Sequence, residues 1–187
     1  MKNYIGVKEI KARPMNRLDY NGYIGWDSPS DENGEDEGYL VEYVNGSDKN
    51  HQNHDGYVSW SPKNVFEEAY RETSGLPFGL AVEALKKGRR IARLGWNGKG
   101  MFIFMQVPAR IDATIVPNMQ SLPDSVKDEF TRRLEETTQQ VGNDSTHNHS
   151  TIDYKNQIAM VYPDNTIYGW VASPSDVLEE DWVILED

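Results

Sequence analysis

The dipeptide Asn97-Gly98 stands between two short apolar runs, residues 91–96 and 101–107. Asn-Gly is the pair that a tight hairpin turn favours, because both residues tolerate positive φ. The pattern therefore predicts two antiparallel strands joined at this turn. Other strand-like runs bounded by turn residues lie at 4–13, 39–44, 57–60, 157–162, 166–172 and 182–185. Many short strands and few helices favour an α+β fold with an antiparallel sheet.

Helical periodicity is confined to a few segments. Residues 77–87 carry an apolar stripe at helical spacing, and Gly88 follows where a left-handed C-cap belongs. Further signals predict a helix capped by Ser61, a polar helix over 123–140, and a short helix capped by Ser173. In this short helix Pro174 is the first helical residue, and Asp176, three residues after Ser173, completes a capping box. We expect the helix over 77–87 to pack on the sheet of the core module.

Two modules are predicted, and the joint between them is at 73–75. Residues 1–75 form a small α+β accessory module, and residues 76–187 form the core module. Within the core module, residues 108–156 have the character of an insertion. They contain the low-hydrophobicity segment 142–150, which we expect to be partly mobile.

The net charge of −11 is unevenly distributed. Residues 1–77 carry net −6, residues 78–110 carry net +6, and residues 111–187 carry net −11. Such an acidic chain is a poor partner for long nucleic acid or an anionic membrane surface, which bind through Lys and Arg. The basic segment 78–110 is nevertheless compatible with binding one small anionic ligand in an enclosed site. The charge therefore limits the size of an anionic partner rather than excluding one.

The chain contains no cysteine, which excludes disulfides, Cys-ligated zinc and thiol nucleophiles. No run approaches the length of an apolar membrane span, and the N-terminus lacks the apolar core of a signal peptide. We therefore expect a soluble, cytoplasmic protein.

Two histidine pairs and one run of carboxylates are the candidates for metal or catalytic chemistry. They are His51 with His54, His147 with His149, and Asp176, Glu179, Glu180 and Asp181. A firm metal site needs further ligands on rigid elements, whereas both pairs lie in polar loops, so solvated histidines are the favoured interpretation. Asp176 is favoured as a capping partner, with Glu179 and Glu180 solvated. We predict no metal ligand, no cofactor and no catalytic residue.

The most unusual stretch runs from Arg93 to Met101, with three glycines, Trp96, Asn97 and Lys99. Trp96 has a structural interpretation as a core residue, and Asn97 as part of a turn. Glycines, however, let backbone approach a ligand closely, and a tryptophan offers a stacking surface for a base. Arginine and lysine would meet phosphate. These parts together suit a nucleotide-sized anion.

A second cluster runs from Trp170 to Trp182 and includes Ser173, Ser175 and Asp176. It supplies another tryptophan and a helix start rich in hydroxyl groups. The Asp176 carboxylate suits a ribose hydroxyl or a base edge better than a phosphate, because it already complements the helix dipole.

Three segments together, 78–88, 93–101 and 170–182, resemble the phage Thoeris anti-defence family of the second type. The resemblance implies a sponge, which binds an immune signalling nucleotide, a glycocyclic ADP-ribose isomer, and holds it intact. It also implies compact α+β protomers that form homotetramers with pockets between subunits, acting in the infected bacterial cell. Some members also hold cyclic dinucleotides at a separate place.

The matched positions suggest roles for the predicted ligand-binding residues. These are Arg93, Trp96, Asn97, Lys99, Met101, Trp170, Ser173, Ser175 and Asp176. The two tryptophans would stack on or wall the base, Asn97 and Asp176 would read polar edges, and the cations would meet the diphosphate. Two alternatives remain open: an acidic interaction protein or nucleic-acid mimic that blocks a host enzyme, and a hydrolase that destroys the nucleotide.

Overall fold

The computed structural model describes residues 1–2, 6–44, 48–96, 99–140 and 151–186. In chain order its elements are β1 (Lys11–Pro14), α1 (Arg17–Ile24), β2 (Gly38–Tyr43), β3 (Tyr57–Pro62), α2 (Lys63–Ala69), β4 (Ser74–Leu76), α3 (Phe78–Lys86), β5 (Arg90–Arg93), β6 (Phe102–Gln106), β7 (Ala109–Asp112), α4 (Asp124–Gln140), β8 (Thr151–Tyr154), β9 (Gln157–Val161), β10 (Ile167–Gly169), α5 (Pro174–Leu178) and β11 (Trp182–Leu185). Short 3-10 helices lie at Leu94–Trp96 and Ala113–Asn118.

Within the described residues the strands form three sheets. Their orders are β1-β2-β3, β10-β9-β6-β5-β11-β4 and β7-β8. The strand pairs whose registers are resolved are all antiparallel. The predicted α+β class with an antiparallel sheet is therefore confirmed. By its internal contacts the chain divides into two compact units, 1–83 with 178–183 and 84–177 with 184–187. The predicted module boundary after residue 75 stays a prediction.

The first unit is built around the three-stranded sheet and helix α1. Tyr20 of α1 packs with Leu40 of β2 and Val58 of β3 in a buried cluster. Leu40 and Val58 lie on one face because side chains alternate along a strand. Burying each such aliphatic side chain is worth about 1.5–3 kcal/mol.

Helix α1 was not predicted, although both of its ends carry local signals. The Asn16 side chain caps the helix by accepting a hydrogen bond from the Asp19 N–H at 2.7 Å. At the other end Gly25 adopts a left-handed φ of 75°. The helix has a weak apolar stripe, so periodicity alone does not reveal it.

The core of the second unit lies where β5, β6 and β9 pair. Ile103 of β6 is opposite Ile91 on one side and Met160 on the other, and both isoleucines are fully buried. Ala84 and Leu85 at the end of α3 are also buried. The apolar stripe predicted over 77–87 thus forms a packed helix, and Gly88 has the predicted left-handed φ, at 82°.

Four local predictions differ from the structure. The strand predicted at 4–13 is confined, within the described residues, to 11–14, and the strand at 166–172 shortens to 167–169. The strand at 91–96 ends at Arg93, after which Gly95, a poor strand former, lies in the 3-10 turn. Ser61 does not cap α2, because it pairs with Tyr39 inside β3 and the helix begins at Lys63.

The segment 108–156 is closed by its own two-stranded ribbon. Ile111 of β7 is opposite Ile152 of β8, and Arg110 pairs with Asp153 at 3.0 Å. The polar helix predicted over 123–140 is confirmed as α4. The segment 142–150 that we expected to be mobile lies outside the described residues. None of the described helices is long and apolar enough to cross a membrane.

Candidate functional site

The end of β5 is joined to the start of α5 by an ion pair. Nη1 of Arg93, the last residue of β5, lies 2.8 Å from Oδ1 of Asp176. Only 14% of the Arg93 side chain and 16% of the Asp176 side chain are exposed. The pair therefore connects positions 83 residues apart in the chain, and it is shielded from most of the solvent that weakens surface ion pairs.

The other Asp176 oxygen belongs to a capping box at the start of α5. Oδ2 accepts hydrogen bonds from the Ser173 N–H at 2.9 Å and from the Ser173 hydroxyl at 2.6 Å. In return, the Asp176 N–H donates to Oγ of Ser173 at 3.2 Å. The hydroxyl of Ser175 lies 2.9 Å from that of Ser173. The predicted cap is confirmed, and we call Arg93, Ser173, Ser175 and Asp176 the Arg93–Asp176 cluster.

The cluster keeps Asp176 ionised. Burial acts to raise the pKa of this carboxyl group, but the hydrogen bonds from Ser173 and the Arg93 guanidinium outweigh it and hold the pKa below its usual value of 3.8. At neutral pH the carboxylate and the guanidinium are therefore both charged, and their charges offset each other.

Trp96 is positioned by the 3-10 turn that follows β5. The Trp96 side chain is half-buried, and the Trp96 backbone carbonyl accepts a hydrogen bond from the Lys99 N–H at 3.3 Å. Gly100 has a φ of 71°, which a residue with a side chain rarely adopts. The Lys99 side chain is exposed, and no ion pair joins it to a carboxylate of the described residues. Asn97 lies outside the described residues.

Trp170 and Met101 are placed by the sheet. Trp170 directly follows β10, and its N–H donates to the carbonyl of Ile158 in β9 at 2.8 Å. Met101 directly precedes β6, and both side chains are half-buried. Of the nine predicted site residues, the structure thus joins the four of the Arg93–Asp176 cluster by hydrogen bonds. No described hydrogen bond or ion pair joins the Lys99 or Met101 side chain to that cluster.

The prediction of solvated histidines is wrong for His54. Its Nδ1 lies 3.0 Å from the Glu42 carboxylate, and its Nε2 lies 2.9 Å from the Tyr23 hydroxyl. His51 stacks on the Tyr23 ring with centroids 4.5 Å apart. The error arose because Glu42 and Tyr23 come from β2 and α1, and no local pattern relates them to the loop. His147 and His149 lie outside the described residues.

The other groups considered for chemistry differ in their surroundings. Among the described residues no group of three or more His, Cys, Asp or Glu side chains could hold a metal ion. Asp176 has the capping role that was favoured. Glu179 and Glu180 are exposed, whereas Asp181 is half-buried.

Comparison with known proteins decides the family. Residues 76–185 match the Thoeris anti-defense 2-like domain family, and this range is more than half of the chain. The chain belongs to this family. The Thoeris anti-defense 2 protein of Bacillus phage SP01 is 31% identical over 110 residues, which are 59% of this chain and 94% of the phage protein. The family predicted from the three motif segments is confirmed.

The Thoeris anti-defense 2-like range contains every predicted ligand-binding residue and runs through 108–156. Residues 1–75 lie outside it. Membership in this family supports a phage anti-defence role.

Proposed function

We propose that this protein is a phage anti-defence protein that binds a host immune signalling nucleotide and withholds it from its sensor without cleaving it. The ligand class is a cyclic ADP-ribose isomer. The observation that carries the proposal is the 2.8 Å contact between Arg93 and Asp176. It links segment 93–101, with its glycines and Trp96, to segment 170–182, with its serine hydroxyls, and both segments lie in the matched range of an anti-defence family.

In the proposed site the two tryptophans provide the base-binding surfaces. Each base–aromatic stack is worth about 1–3 kcal/mol, and the half-buried state of Trp96 and Trp170 leaves part of each side chain accessible. Met101 contributes an apolar wall. Asn97 is proposed to read a polar edge of the base.

The polar part of the proposed site meets the diphosphate and the ribose groups. Lys99 and Arg93 supply positive charge, and Ser173, Ser175 and Asp176 supply hydroxyl and carboxylate groups. The Ser173 hydroxyl is already engaged by Asp176, so Ser175 is the better placed of the two serines to bond a ligand.

Sequestration requires an affinity higher than that of the host sensor and an abundance comparable with that of the signal. We propose that the protein is a homotetramer in the infected bacterial cell, with pockets between subunits, because a pocket lined by two subunits encloses more of a small ligand than one surface does. Light scattering of the purified chain measures the subunit number.

The test is to mix purified protein with glycocyclic ADP-ribose, remove the protein by filtration, and measure the free ligand. The retained protein is then heat-denatured, and the released molecule is identified by mass spectrometry. Depletion followed by release of intact ligand supports a sponge. A cleaved product would identify a hydrolase.

No depletion of glycocyclic ADP-ribose or of a cyclic dinucleotide would leave the acidic interaction protein as the better account. The cyclic dinucleotide arm also measures whether a second ligand class binds. The net +6 of residues 78–110 favours the nucleotide over a nucleic-acid mimic, because a mimic needs an unbroken acidic face.

A further inference from the structure

The Asp176 carboxylate forms its described hydrogen bonds with Arg93 and Ser173 of the same chain. One of its oxygens accepts from the Arg93 guanidinium and the other accepts from two donors of Ser173, so the carboxylate takes part in at least three hydrogen bonds. A carboxylate has about four acceptor positions, so these bonds leave it little capacity for a ligand hydroxyl. It would also repel a nearby diphosphate.

The Arg93–Asp176 cluster lies at the same short chain distance from each tryptophan of the proposed site. Trp96 follows Arg93 by three residues, and Trp170 precedes Ser173 by three residues. Three residues of even fully extended chain reach about 10 Å. An ion pair between the two anchor points therefore restricts the relative positions of the two tryptophans.

We propose that Asp176 is a positioning residue of the nucleotide site, which acts through Arg93 and Ser173 and does not itself contact the ligand. Lys99 then supplies the charge that meets the ligand's diphosphate. This inference rests on the proposed function and revises two of the roles given there: Asp176 and Arg93 hold the site in place, and Lys99 meets the diphosphate.

Such a division of roles favours tight binding. A site whose walls are held in place before the ligand arrives loses less conformational entropy on binding. The Lys99 side chain is exposed and joined to no described carboxylate, so it remains available to an anion. In Arg93, by contrast, the positive charge is offset by Asp176.

The sign of the effect of Asp176→Asn separates a positioning role of Asp176 from a site in which Arg93 contacts the ligand and Asp176 restrains it. If Asp176 positions the site, the variant binds glycocyclic ADP-ribose about tenfold more weakly in calorimetry, a loss expected from one charge-assisted bond. If Arg93 is instead a ligand contact held back by Asp176, removal of the carboxylate charge releases it and the affinity rises. Unchanged or tighter binding would overturn the inference.

A double-mutant cycle adds a second readout. Arg93→Gln and Asp176→Asn break the same ion pair, so the double variant should bind about as weakly as either single variant. Losses that simply add would show that each residue acts on the ligand separately, contrary to the inference. Lys99→Gln is the charge control: its loss of affinity should shrink at high salt, whereas the loss from Asp176→Asn should persist.

Two outcomes keep this inference distinct from the proposed function. Wild-type protein that takes up no nucleotide overturns both. Wild-type uptake with undiminished binding by Asp176→Asn overturns the inference alone. Should Asp176→Asn fail to fold by circular dichroism, Asp176→Glu retains the charge but displaces the carboxylate by one methylene; weaker binding supports positioning and unchanged binding opposes it.

Discussion

Oε2 of Glu42 lies 3.0 Å from Nδ1 of His54, inside the first unit. The same carboxylate accepts hydrogen bonds through Oε1 from the backbone N–H groups of Asp55 and Gly56, at 2.8 and 3.1 Å. On its other side His54 bonds the Tyr23 hydroxyl of α1. One buried glutamate of β2 thus ties the loop before β3 to the sheet and, through His54, to a helix.

Replacing Glu42 by Gln should destabilise the protein by about 1–3 kcal/mol, because the buried N–H groups and His54 lose a charged acceptor. Urea denaturation followed by tyrosine and tryptophan fluorescence measures the difference. Glu68→Gln is the matched control: Glu68 is exposed on α2, and its replacement should change the free energy of unfolding by less than about 0.5 kcal/mol. Equal effects of the two substitutions would contradict the role given to Glu42.

The stabilisation by Glu42 should disappear in acid. The hydrogen bond from His54 and those from the two backbone N–H groups outweigh burial and lower the Glu42 pKa below 4.5. Since the carboxyl binds protons more weakly in the folded state, its contribution is complete above about pH 4.5 and is lost as the pH falls through the folded pKa. The stability difference between wild type and Glu42→Gln should therefore narrow between pH 5 and pH 3 in urea titrations. A constant difference over this range would argue against an ionised Glu42.

Several elements with a local signature were predicted from the sequence, although α1 was missed. The capping box of Ser173 and Asp176 was read from residue types three positions apart, and β11 has the bounds of its apolar run at 182–185. Helix α3 was likewise predicted from its own apolar stripe and from Gly88 after it, without reference to distant residues. Each of these features depends on hydrogen bonds or periodicity within a few residues.

The contacts that build the candidate site were not predictable in the same way. Arg93 and Asp176 are 83 residues apart, and charge patterns along the chain do not specify which cation meets which carboxylate. The burial of His54 likewise depends on Glu42 and Tyr23, which other elements bring to it. Sequence reasoning named Arg93 and Asp176 as candidates and predicted the cap between Ser173 and Asp176, but it did not predict that Arg93 bonds Asp176.

Two glycines of helix α1 should respond oppositely to the same substitution. Gly22 lies within the helix and Gly25 at its C-cap, where φ is 75°, and an added Cβ meets no heavy atom within 4 Å at either position. Gly22→Ala should stabilise the protein by about 0.5–1 kcal/mol, through its lower entropy in the unfolded chain. Gly25→Ala should destabilise it by about 1 kcal/mol, because a Cβ disfavours the left-handed conformation.

The two melting temperatures, measured side by side, test this pair. Space around the glycines is the same, so only backbone conformation separates the variants. A lower melting temperature for Gly22→Ala would contradict a helical Gly22, and a raised one for Gly25→Ala would contradict the left-handed C-cap at Gly25.

The nucleotide site should depend on Trp96. If the proposed function holds, Trp96→Ala removes a base-stacking surface three residues after Arg93, so uptake of glycocyclic ADP-ribose should fall below detection in the depletion assay while the subunit number by light scattering is unchanged. Trp26→Ala is the matched control, because Trp26 is 61% exposed, lies outside the matched family range and contacts Tyr20 edge-on at 6.4 Å. Normal uptake by Trp96→Ala would place the pocket elsewhere. Loss of uptake by Trp26→Ala would extend the site to residues 1–75.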